Sequence, residues 1–136
     1  DTYTGQLKLE DQLKIINDMV NKTLNDKYTR SVSDRGWLDP FVFGLLYFSY
    51  YKNDKAVKAI RELFANTIGK IDYKKYTYYV FRTNSLKENL DRIKKRNRDF
   101  EIKGDWGFIE FLVKNFNWTL IDALDRLKIR YKEIEL

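Results

Sequence analysis

The chain has 136 residues, a net charge of +6 from 26 basic and 20 acidic side chains, and neither cysteine nor histidine. That composition excludes disulfides, thiolate and imidazole metal ligands, cysteine nucleophiles and the usual histidine general base. Ten tyrosines and nine phenylalanines in a chain of one-domain size predict a core of large rings.

The first residues, "DTYTGQLKLEDQ", show neither a basic nor an apolar leader pattern. Leu9, Leu13, Ile16, Val20 and Leu24 recur at helical spacing, which predicts an amphipathic helix over residues 9–26. The polar "DKYTRSVSDRG" reads as a loop. Asp39-Pro40 then reads as a helix start, with aspartate as cap and proline at the first helical position. The following "FVFGLLYFSYY" is apolar nearly all round, which predicts a central buried helix. It is too short to span a membrane.

Asp54 is the expected cap of a third helix carrying Val57, Ile60, Leu63 and Phe64 on one face, with Gly69 as its stop. "KIDYKKYTYYVFR", residues 70–82, is rich in strand formers and could turn at Tyr73-Lys74-Lys75, although a short helix competes. Ser85-Leu86-Lys87-Glu88 has capping-box spacing and predicts a helix to about Asp99, with Leu86, Leu90 and Ile93 inward. Asp105 is expected to cap a helix with Trp106, Ile109, Leu112, Val113 and Phe116 in the core. Thr119, with Asp122 three residues on, is expected to start a last one. After it, "KIRYKEIEL" is too short for a DNA-recognition helix and reads as a tail. The fold expected is all-α: one domain over residues 1–136, a bundle of about six helices, with room for a small β-hairpin near residues 68–82.

Charge is concentrated. Residues 70–103 hold 11 basic and 5 acidic groups, which equals the whole +6 excess. Such a footprint points to a polyanionic partner, DNA or RNA, bound without base readout. The residues that would contact phosphate are Lys74, Lys75, Arg82, Lys87, Arg92, Lys94, Lys95, Arg96 and Arg98. On a helix, Lys87, Lys94 and Arg98 fall on one flank, Arg92 and Arg96 on the other, and Lys95 outward. Glu88–Arg92 and Asp91–Lys95 have i,i+4 spacing, so a salt-bridged solvent face competes with phosphate binding. Tyr73, Tyr76, Tyr78 and Tyr79 interleave with Lys74, Lys75 and Arg82. They fit either a base-stacking surface or an alternating core strand.

Two other functions are weighed. A protein-binding adaptor or inhibitor, of a phage or mobile-element kind, would use exposed aromatics, with Trp37, Tyr50 and Tyr51 the candidates. Abundant lysine, asparagine and isoleucine with one proline fit the AT-rich coding expected of such a source. Glu101-Ile102-Lys103 has the carboxylate–lysine spacing of Mg²⁺-dependent nucleases, but no upstream strand supplies the second acid such sites need. The expectation is a non-enzymatic, cytoplasmic binding protein with no metal, no cofactor and no membrane partner.

Overall fold

Hydrophobic periodicity places the first helix where expected. The computed structural model describes residues 7–25, 36–72, 75–82, 86–96 and 105–135. In order these form α1 (Leu9–Leu24), α2 (Asp39–Tyr50), α3 (Asp54–Ile68), β1 (Thr77–Arg82), α4 (Leu86–Arg96), α5 (Trp106–Leu127) and β2 (Arg130–Glu135). Most of the described residues are helical, and none of the helices among them is long and apolar enough to cross a membrane.

On α1, Ile16 and Val20 are buried, whereas Leu24 stays exposed. Gln12 is buried in its place, and its amide donates to the Pro40 carbonyl at 2.8 Å, which satisfies the group inside the core. The apolar α2 runs through the middle and packs against α1, α3 and α5. Gly44 sets the closeness of that packing. A Cβ there would lie 2.8 Å from Ile60 Cδ1 and 3.1 Å from Gln12 Cγ. Around Tyr47, the rings of Phe48 and Phe108 pack edge-on, each with its centroid 5.1 Å away. This geometry suits the aromatic quadrupole and joins α2 to α5.

Helix ends depart from expectation in instructive ways. Leu38, not Asp39, occupies the cap of α2, and no side chain caps that end. Asp39 is engaged elsewhere, accepting from the Tyr78 hydroxyl at 3.0 Å. Asn53, not Asp54, caps α3 by accepting from the Ala56 N–H at 3.1 Å. Asp105 caps α5 as expected, accepting from Gly107 N–H at 2.9 Å and Phe108 N–H at 3.3 Å. Gly69 does follow the end of α3, with ordinary right-handed backbone. Lys52 and Lys128 take the left-handed conformation after α2 and α5, at φ 56° and 57°. In each case the next residue's N–H reaches five residues back, Asn53 to the Phe48 carbonyl and Ile129 to that of Leu124. This is a Schellman closure with lysine where glycine is usual.

Two elements differ from the sequence expectation. The helices expected at Asp105 and Thr119 are one continuous α5, because no glycine or proline interrupts the chain between Phe108 and Leu127. The structure therefore has five helices among the described residues, rather than about six. The expected hairpin near 68–82 is replaced by a parallel pair, β1 with the C-terminal β2, from Thr77↔Arg130 to Arg82↔Glu135. What read as a tail is a strand. The capping box at Ser85 and the turn at Tyr73-Lys74 lie outside the described residues.

Candidate nucleic-acid interface

α5 is the spine of the candidate surface. Its last turn closes at Lys128, and the chain doubles back as β2, so both parallel strands run antiparallel to the helix. Asn117 on α5 donates its side-chain amide to the Phe81 carbonyl at 2.8 Å, which fixes the end of β1. α4 begins four residues beyond Arg82 and packs on α5. Near its far end, Lys94 Nζ sits 5.7 Å from the Trp106 ring centroid, in reach of a cation–π contact. From Asn117 back to Trp106 is about 16 Å of helix. Strand β1 and helix α4 therefore succeed one another along α5.

Strand alternation sorts the side chains of the sheet. Tyr78 and Val80 point into the core, while Tyr79 and Phe81 are 48% and 54% exposed on the other face. In the parallel register Tyr79 pairs with Lys132 and Phe81 with Ile134, so these four share the outer face. Arg130 falls on that face too, opposite Thr77. Glu133 and Glu135 pair with Val80 and Arg82, on the reverse face. Period-two geometry thus separates the cations of β2 from its acids.

Tyr78 locks this sheet to α2. Its hydroxyl accepts from the Leu38 N–H at 3.0 Å and donates to Asp39 Oδ1 at 3.0 Å. Burial first, and then the Asp39 carboxylate, hold its pKa well above the ordinary tyrosine range. Gly36 faces the phenol so closely that a Cβ there would overlap the Tyr78 ring. Elsewhere Tyr51 donates to Asp105 Oδ2 at 2.8 Å, and burial followed by that carboxylate also raises the Tyr51 pKa.

The residues proposed from sequence land unevenly. Lys75, Lys87, Arg92, Lys94 and Lys95 are exposed, and Lys75 Nζ lies 5.2 Å from the Tyr76 ring centroid. Arg82 and Arg96 are placed by backbone on β1 and α4. Lys74 and Arg98 lie outside the described residues, as do Glu101 and Lys103. Trp37 is corrected: it is 3% exposed and packs on Phe41, so it offers no surface. Tyr50 and Tyr51 are half-buried in the ring cluster around Phe108. The sequence reading missed Phe81, Lys132, Ile134 and Trp118, the last 70% exposed on α5. A signal for the β2 residues existed in the alternation of "RYKEIE", masked by its lysine and glutamate content.

Among the described residues, no group of three or more acidic side chains is placed to hold a metal ion. A shallow open depression lined by Ser49, Asp54, Val57, Lys58 and Arg61 mixes one carboxylate with two cations and organises no chemistry. Compared with protein-family models, curated proteins and solved structures, the chain matches none.

Proposed function

We propose that the protein binds the phosphate backbone of nucleic acid, without reading sequence, through the surface formed by β1, α4 and the outer face of β2. One observation carries this reading: β1 and α4, which belong to the segment of highest positive charge in the sequence, both pack on α5, with Lys87, Lys94 and Lys95 exposed on α4. Cations spread round an exposed arc neutralise a backbone but do not present one rigid bidentate edge to a base. No catalytic step is assigned, and the reading is that of a binding protein.

The test is fluorescence anisotropy with labelled oligonucleotides of unrelated sequence. Replacing Lys87, Lys94 and Lys95 by alanine should weaken binding to all of them by a similar factor. A loss confined to one sequence would show base readout and contradict the reading. In the adaptor alternative, Trp118 replaces Trp37 as the aromatic open to a partner. That alternative takes over if wild type binds no oligonucleotide at low ionic strength.

A further inference from the structure

The geometry points to single-stranded nucleic acid as the ligand of this surface, with successive bases stacked on Tyr79 and Phe81 and the flanking phosphates met by Lys132 and the α4 cations. This rests on the phosphate-binding reading and narrows it to one class of strand.

Tyr79 and Phe81 are the exposed aromatics of β1, two residues apart on one face. Strand geometry separates their Cα atoms by about 6.6 Å, a step that one extended nucleotide spans. A duplex keeps its bases paired and stacked inward, so it cannot use such rings. A single strand can, whatever its sequence, because every base has a π-face. The partner strand supplies complementary charge at the same level: Lys132 stands beside Tyr79 in register, and Ile134 flanks Phe81 with apolar surface. Alternation sends Glu133 and Glu135 to the reverse face, so the strand's own acids do not line the platform. The platform is also held from behind. Tyr78 and Val80 are buried, and Asn117 holds the Phe81 carbonyl at 2.8 Å, which presents the ring on fixed backbone.

The experiment compares three labelled probes of equal phosphate number: oligothymidylate, an abasic phosphodiester strand and a mixed-sequence duplex. Wild type should bind oligothymidylate at least ten-fold more tightly than the abasic strand. Tyr79→Ala with Phe81→Ala should erase that difference. Tyr79→Phe, which keeps the ring, should retain it. The Lys94→Ala, Lys95→Ala variant should weaken all three probes. Equal, salt-sensitive binding of oligothymidylate and the abasic strand overturns stacking and leaves the phosphate reading standing. Tighter oligothymidylate binding with no salt sensitivity overturns the phosphate reading alone, and no binding to any probe overturns both. A dimer in sedimentation velocity that Phe81→Ala dissolves would assign the face to a second copy of the chain, and so contradict the inference.

Discussion

Tyr78 shows how much one side chain can hold. Its hydroxyl satisfies the Leu38 N–H and engages Asp39, and its ring fills the space that Gly36 leaves open. Tyr78→Phe would leave the buried Leu38 N–H unpaired, which costs about 1–3 kcal/mol. A chemical-denaturation midpoint lowered at unchanged slope is the expected result. The raised pKa also gives stability a pH dependence. Unfolded tyrosine loses its proton near pH ~10, while folded Tyr78 keeps it. The unfolded state then binds fewer protons, so stability is fully present below pH ~10 and falls as pH rises beyond it. Tyr78→Phe should shallow that alkaline decline without removing it, because Tyr47 and Tyr51 are raised too, each chiefly by burial. Gly36→Ala should destabilise as much as Tyr78→Phe or more, since the phenol must leave its place to admit a methyl group.

Helix α5 and the strand that follows it depend on the Lys128 turn. A side chain in left-handed backbone is strained, and glycine relieves the strain. Lys128→Gly should therefore stabilise the fold by about 0.5–1 kcal/mol, read as a raised melting temperature. Lys128→Val, with branching at Cβ, should lower it. The elements were unequally legible in the sequence. The faces of α1 and α3 follow from apolar residues at helical spacing, and the Asp105 cap was readable because the polar residue directly precedes the apolar run. The caps at Leu38 and Asn53 were not, since Asp39 is drawn off by a tyrosine 39 residues away. The β1–β2 pairing is the clearest case of what local pattern omits. Each strand is short, and Thr77 meets Arg130 only after α4 and α5 have intervened. The basic character of the surface was visible in composition, but its face was not. Tyr79 and Lys132 come together through register alone.

At the level of the molecule, the central ring cluster of Tyr47, Phe48 and Phe108 ties α2 to α5, and the exposed lysines of α4 lie on a different element. Substitutions of α4 lysines should change binding far more than stability, with unfolding free energies within about 0.5 kcal/mol of wild type. The decisive observation is the slope of log binding constant against log salt concentration for oligonucleotide binding, taken on wild type and on the Lys87, Lys94 and Lys95 triple alanine variant. A steep negative slope is expected for wild type, flattened in the variant by up to about 0.9 for each duplex phosphate that is no longer neutralised. A wild-type slope near zero, or a variant slope indistinguishable from it, would contradict phosphate binding by this surface.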